Sequence, residues 1–333
     1  MVVVMSAHAR PEDVEAIVVT VERAGGSAFV SRGVERTIIG LIGDIELFLG
    51  LNLARLPGVA DVVRISAPYK LVSRAHHDAT STVTVRGVPI GPGHFAFIAG
   101  PCAVETREQT LAAAQMAKDA GAVLLRGGAY KPRTSPYAFQ GLGPIGLEIL
   151  AEAREATGLP VVTEVVDAAD VPLVAQWADM LQVGTRNAQN FGLLQAVGAA
   201  GRPVLLKRGL TATYEEWLMA AEYVAQRGNL DIVLCERGVR SFEPAIRNML
   251  DISAVPMIHA MSHLPVIVDP SHAAGRRDLV VPLARAGIAA GADGVIVDVH
   301  PHPEAALCDG PQALFGEDLA ALAAAVAAVT AGR

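Results

Sequence analysis

The sequence predicts a (β/α)8 TIM barrel preceded by a small ferredoxin-like α+β domain, and three observations carry that prediction. Eight short aliphatic runs recur between residues 95 and 300, each followed by a helical stretch. The runs are almost continuously apolar, as strands covered on both faces must be, and the segment has the ~250 residues usual for such a barrel. Ahead of them, residues 1–66 switch their hydrophobic period in the order βαββαβ, the split ferredoxin-like unit.

Taken in order, "MVVVM" opens the chain as a strand, and a helix follows with Pro11 in its first turn and Val14, Ile17, Val18 and Val21 on one face. "SAFVS" and "TIIGLIG" supply two strands, a second helix is expected from about 44 to 56, and "DVVRIS" gives the fourth strand. Residues 67–80 have no period and read as a linker, which leaves 81–333 for the barrel. "TVTVRGVPI" from residue 82 reads as a short hairpin. The eight barrel runs are then "FAFIAG" (95–100), "AVLLRG" (122–127), "PVVTEV" (160–165), "DMLQVG" (179–184), "PVLLKRG" (203–209), "DIVLCERG" (231–238), "PVIVDPSH" (265–272) and "GVIVDVH" (294–300). A closing helix carries the stripe Leu319, Leu322, Val326 and Val329.

Composition narrows the function classes. The chain has 333 residues, 52% of them hydrophobic, and a formal net charge of −7, with no basic run longer than "GRR" at 275–277, so no nucleic-acid or anionic-membrane surface is expected. Three scattered cysteines do not make a disulfide framework and fit a reducing compartment. The amino terminus lacks the pattern of an export signal, and "LAALAAAVAAV" (319–329) is too short to span a bilayer, so a cytoplasmic protein is expected.

In a (β/α)8 barrel the chemistry sits at the carboxyl ends of the strands. Those ends carry Cys102, Arg126 with Lys131 beyond it, Glu164, Arg186, Lys207, Glu236 with Arg237, Asp269 with His272, and Asp298 with His300. Two of only four lysines fall on this rim. Five cations (Arg126, Lys131, Arg186, Lys207, Arg237) converging on one mouth repel one another unless an anion sits among them, which points to a ligand bearing phosphate and carboxylate. Cys102, His272 and Asp309 share the rim, and thiol, imidazole and carboxylate together suit a divalent ion such as Zn²⁺, Fe²⁺ or Mn²⁺ with one position open. The bland alternatives are a buried thiol and a capping histidine. Cys235 reads as core, and Cys308, directly before Asp309, is expected to point elsewhere, with a thiol ligand as the alternative.

With these residues in place, the chain resembles the 3-deoxy-D-arabino-heptulosonate 7-phosphate (DAHP) synthases, in their short form with an amino-terminal ferredoxin-like domain. The resemblance is carried by "AGPCAVE", "LLRGGAYKPRTSPYAFQGLG", "LQVGTRNAQNF", "LLKRGL", "CERGVRSFE", "VIVDPSHAAGRRD" and "GADGVIVDVHPHPEAALCDGPQ". It implies that phosphoenolpyruvate and erythrose 4-phosphate condense with water to DAHP and phosphate, the first step of the shikimate pathway. It assigns phosphoenolpyruvate to Arg126, Lys131, Arg186, Lys207 and Arg237, and the phosphate of erythrose 4-phosphate to Arg133, Thr134 and Ser135, with Arg276 assisting. A divalent ion (Mn²⁺, Fe²⁺, Co²⁺ or Zn²⁺) is implied on Cys102, His272, Asp298 and Asp309. The relatives carry glutamate where this chain has Asp298, which is one methylene shorter, so weaker retention of the ion than in Asp298→Glu is expected. Lys131 is the expected proton donor to the aldehyde oxygen, with Cys102 and His272 supporting the ion, while Glu164 and Asp269 orient groups or pair with the arginines. The head domain is expected to pack against another copy, with a homo-tetramer and feedback by an aromatic amino acid implied by the resemblance. Two rival functions stand beside this one: a 3-deoxy-octulosonate 8-phosphate synthase taking arabinose 5-phosphate, against which "KPRTS" argues, and a non-catalytic phosphometabolite sensor.

Overall fold

Alternation along eight strands decides where every functional side chain ends up. The structure, a computed structural model, describes residues 1–32, 37–63, 68–75 and 77–331. Parts of "SRGVERTIIG", of "DVVRIS" and of the 67–80 stretch lie outside the described residues. The described residues fall into two compact units, Met1–Pro68 and Tyr69–Arg333.

The first unit runs β1 (Val2–Met5), α1 (Pro11–Arg23), β2 (Ser27–Arg32), β3 (Thr37–Ile42), α2 (Ile45–Leu49) and β4 (Val59–Val63), with an antiparallel sheet in the order β2-β3-β1-β4. α1 starts at Arg10, whose backbone N–H donates to Asp13 at 2.9 Å, and buries Val14, Ile17 and Val21. Those side chains cover Val3, Met5, Ile39 and Leu41 of the sheet. The opposite face leaves Phe29, Ile38, Ile42 and Val63 exposed. The helix expected over 44–56 is shorter than that. It stops at Leu49, because Gly50 is a poor helix former and Asn52 turns left-handed (φ 49°), and a single 3-10 turn occupies Leu53–Arg55.

The second unit opens with a hairpin of β5 (Val83–Val85) and β6 (Val88–Ile90), turning at Arg86 and Gly87, both with positive φ as such a two-residue turn requires. Barrel strands follow as β7 (Ala96–Gly100), β8 (Leu124–Arg126), β9 (Val161–Glu164), β10 (Met180–Val183), β11 (Val204–Lys207), β12 (Ile232–Glu236), β13 (Val266–Val268) and β14 (Gly294–Asp298). They are parallel neighbours in sequence order, and β14 pairs with β7 to close the ring. Between and after them lie α3 (Arg107–Asp119), α4 (Pro144–Thr157), α5 (Val171–Trp177), α6 (Phe191–Ala199), α7 (Tyr214–Ala225), α8 (Ala254–Met261), α9 (Pro270–Ala274), α10 (Arg277–Ala289) and α11 (Gly316–Thr330). α11 buries Leu319, Leu322 and Val326 of the expected stripe. No helix among the described residues is long and apolar enough to cross a membrane.

The lower interior is one apolar layer: Ile98, Leu124, Val162, Met180, Leu205, Cys235, Ile267 and Ile296, floored by Val83, Val85 and Ile90 of the hairpin. Cys235 is therefore a core residue. Because side chains alternate along a strand, residues two further on face the same interior one layer higher. Those residues are Gly100, Arg126, Glu164, Gln182, Lys207, Arg237, Asp269 and Asp298. At Gly100 any Cβ would stand 2.0 Å from the Arg126 carbonyl oxygen, so only glycine fits that seam.

Residues 69–75, within the aperiodic stretch, are packed onto the barrel. Tyr69 and Val72 are buried, the Leu71 and Val72 N–H groups donate to the buried Glu222 carboxylate at 3.0 and 3.2 Å, and Ser262 donates to the Val72 carbonyl.

Candidate active site

The upper layer opens into a cavity of about 650 Å³. Arg126, Lys131, Lys207 and Arg237, all buried, and the exposed Arg186 line it together. So do Arg133, Thr134 and Ser135 from the loop after β8, with Arg186 donating to the Thr134 hydroxyl at 3.4 Å. Arg276 is not among the lining residues: it is exposed and paired with Asp278 at 2.8 Å, because its place as the residue preceding α10 turns it outward. Two further arginines that lack any strand-end signature, Arg240 and Arg247, also reach the cavity.

The cations differ in how well they are balanced. Lys207 is paired with Asp269, and Arg126 donates to Asp298 and, at 3.2 Å, to the Cys102 carbonyl. Arg237 has a buried Nη1, as Arg126 has a buried Nε, with no partner among the described residues, and burial pushes the pKa of Arg237 below the ordinary arginine value. A buried guanidinium in that state favours any anion that reaches it. Lys131 Nζ donates to the Cys102 carbonyl at 2.9 Å and lies 3.1 Å from its sulfur; burial disfavours the ammonium, but the Cys102 and Cys308 sulfurs outweigh that and raise its pKa.

Beside these cations stands a group of donors. One atom each from Cys102, His272, Asp298 and Asp309 lies within 4.8 Å of all the others. His272 Nε2 is 3.8 Å from Cys102 Sγ, 3.6 Å from Asp298 Oδ2 and 3.7 Å from Asp309 Oδ2, and Asp309 Oδ2 is 3.2 Å from the sulfur. Bonds of about 2.0–2.3 Å to one ion set neighbouring donors about 3.3–3.8 Å apart, so sulfur, nitrogen and two oxygens here fit a divalent ion. The shorter arm of Asp298 does not keep it out of the group, since the end of β14 is held beside β7 by the pairing of Asp298 with Gly100.

Local structure aims each donor. Asp269 caps α9 by accepting the His272 N–H at 2.9 Å and also takes Nδ1, which leaves Nε2 facing the group. Burial works against charging His272, yet Asp269 and then Asp298 outweigh it and raise its pKa. Asp309 sits in a left-handed turn (φ 56°), and although burial opposes ionisation, His272 and Arg247 hold it far below the carboxylate range. The Cys102 thiol is pushed well up by its hydrogen bond to Cys308 and by burial. A coordinated divalent ion reverses that and deprotonates a thiol outright.

Cys308 overturns the expectation drawn from its position before Asp309. Its sulfur lies 3.5 Å from Cys102 Sγ and 3.0 Å from Arg133 Nη1, because the left-handed residue that follows it lets both side chains face the mouth. Gln312 was missed as well; it is buried and donates to Asp298.

Fold and site together define a (β/α)8 enzyme for anionic substrates, with a place for a divalent ion next to the anion cavity. Residues 73–331 match the DAHP synthetase I family and residues 1–67 match the DAHP synthase ferredoxin-like domain; the chain belongs to the DAHP synthetase I family. A phospho-2-dehydro-3-deoxyheptonate aldolase of Thermotoga maritima is 53% identical over 314 residues, covering 94% of this chain and 93% of that protein. A crystal structure of the Thermotoga maritima DAHP synthase superposes with a TM-score of 0.91 at 50% identity, covering 99% of this chain and 97% of that one. More distant is a 2-dehydro-3-deoxyphosphooctonate aldolase of Desulfosudis oleivorans, 32% identical and matching 75% of this chain and 96% of that protein.

Proposed function

We propose that this chain condenses phosphoenolpyruvate with erythrose 4-phosphate and water to give DAHP and phosphate, in the cytoplasm, with residues 81–333 as the catalytic barrel and 1–66 as a regulatory domain. The observation that supports this most is the convergence of strand-end cations on one cavity beside the sulfur–nitrogen–oxygen donor group, in a member of this family. Arg126, Arg186, Lys207 and Arg237, with Lys131, hold the phosphate and carboxylate of phosphoenolpyruvate, and Arg237 with its unpartnered Nη1 contributes most to recruiting it. Arg133, Thr134 and Ser135 hold the acceptor phosphate on the outer side of the same cavity.

Cys102, His272, Asp298 and Asp309 would hold a divalent ion (Mn²⁺, Fe²⁺, Co²⁺ or Zn²⁺), which supplies Lewis-acid polarisation of the acceptor aldehyde. C3 of phosphoenolpyruvate bonds to the aldehyde carbon, water adds at C2, and phosphate leaves by C–O cleavage. Lys131 Nζ, a buried ammonium next to Cys102, delivers the proton to the aldehyde oxygen. The positive charge that develops at C2 is offset by the carboxylate and phosphate of phosphoenolpyruvate itself, which the fixed cations hold in place without reorganising.

Phosphate release from phosphoenolpyruvate tests the reading: it should require erythrose 4-phosphate, stop on chelation and resume with Mn²⁺. Faster release with arabinose 5-phosphate would transfer the chain to the octulosonate reaction, and no turnover with any divalent ion would leave a sensor. For the head domain, the exposed Phe29, Ile38 and Ile42 support packing against a second copy in a homo-tetramer and feedback by an aromatic amino acid. Gel filtration, and activity with and without tyrosine or phenylalanine, checks both.

A further inference from the structure

The two oxygens of Asp298 face different machinery. Oδ1 accepts from Arg126 Nη1, while Oδ2 lies with the donor group, 3.6 Å from His272 Nε2, and accepts from Gln312. Both partners are deeply buried, Asp298 at 0% and Arg126 at 3% exposure, so their attraction is little screened by water. Arg126 Nη2 is spent on the Cys102 carbonyl, 3.2 Å away. Without an ion, Arg126 is therefore the charge-paired partner of Asp298, although its Nε, like Arg237 Nη1, is a buried donor with no hydrogen-bond partner among the described residues.

An ion bound at Oδ2 draws the carboxylate charge toward itself. Arg126 then keeps its positive charge and loses its hydrogen-bonded counter-charge, at the wall of a cavity where an incoming anion can add to the more distant Glu164 and Asp269 in offsetting it. We propose that Asp298 is a positioning residue as well as an ion ligand: it holds Arg126 in reserve until an ion takes its second oxygen, so that ion and phosphoenolpyruvate each tighten the other through this one carboxylate. The inference rests on the reading of the cavity as a phosphoenolpyruvate site.

Calorimetric titration of chelator-stripped protein with phosphoenolpyruvate, alone and with saturating Mn²⁺, measures the effect without turnover. In the wild type Mn²⁺ should tighten phosphoenolpyruvate about tenfold, and phosphoenolpyruvate should tighten Mn²⁺, followed by its free-ion paramagnetic resonance signal, by the same factor. Asp298→Asn, stripped of metal, should already bind about tenfold more tightly than the stripped wild type, with less than a twofold gain from Mn²⁺; Asp298→Glu should restore the dependence. Simple attraction through space between ion and anion predicts an undiminished gain in Asp298→Asn, and that result overturns the proposal. If Asp298→Asn lacks a cooperative melting transition, the double variant Arg126→Met with Asp298→Asn removes both charges at once, and a gain from Mn²⁺ equal to the wild type's overturns the proposal in the same way. Binding that ignores the ion in the wild type sinks this proposal alone. No binding of phosphoenolpyruvate or inorganic phosphate by any form removes the cavity reading and this proposal together.

Discussion

Two layers of the same barrel, one residue pair apart, do opposite work. Leu124, Val162, Met180, Leu205 and Ile267 form the lower layer, and Arg126, Glu164, Gln182, Lys207 and Asp269, each two positions further along the same strands, form the upper one. The lower layer is apolar and closed by a hairpin; the upper one gathers cations whose charges are only partly balanced. The contrast teaches that stability and chemistry are divided by depth in the barrel rather than by segment of the chain, so neighbouring substitutions on one strand should fail in different ways.

The largest expected effect is at the upper layer's rim: Lys131→Met should lower kcat by about 1,000-fold while phosphoenolpyruvate still binds, as seen by turnover and calorimetry. One layer down, Leu205→Ala should cost about 2–5 kcal/mol of stability in denaturant unfolding and leave KM for both substrates unchanged, since Leu205 is fully buried among aliphatic neighbours. Arg237→Met sets the two layers' interests directly against each other. It should raise KM for phosphoenolpyruvate by about 10- to 100-fold and raise Tm by a few degrees, because it removes a buried cation without a full set of partners. A fall in Tm there would mean that the upper layer is as structural as the lower one. Arg276→Ala should change KM for erythrose 4-phosphate by less than about twofold, as expected of an exposed side chain paired at the surface.

The two layers were also unequally legible in the sequence. Parallel barrel strands are covered on both sides, so their apolar runs stand out, and alternation then places the last polar residue of each run in the mouth. That is why Arg126, Lys207, Arg237 and Asp298 could be read from position alone. Cys308, Arg240, Arg247 and Gln312 come from loops, where no period exists, and the turn at Asp309 that swings Cys308 inward depends on a positive φ that no pattern announces. Arg276 shows the reverse case: the motif around it matched the family, yet the start of α10 turns its side chain toward Asp278. In the head domain the period survived, and the second helix was overestimated because Gly50 and Asn52 end it after a single short run.

The fastening of Leu71 and Val72 to Glu222 dictates where the barrel can be cut free. A chain begun at residue 69 keeps both amides on that carboxylate, whereas one begun at 81 loses both hydrogen bonds and uncovers Glu222 on α7, at a cost of roughly 1–3 kcal/mol. The practical edge of the catalytic unit is thus drawn by two peptide nitrogens, a dozen positions upstream of where its first strand becomes visible.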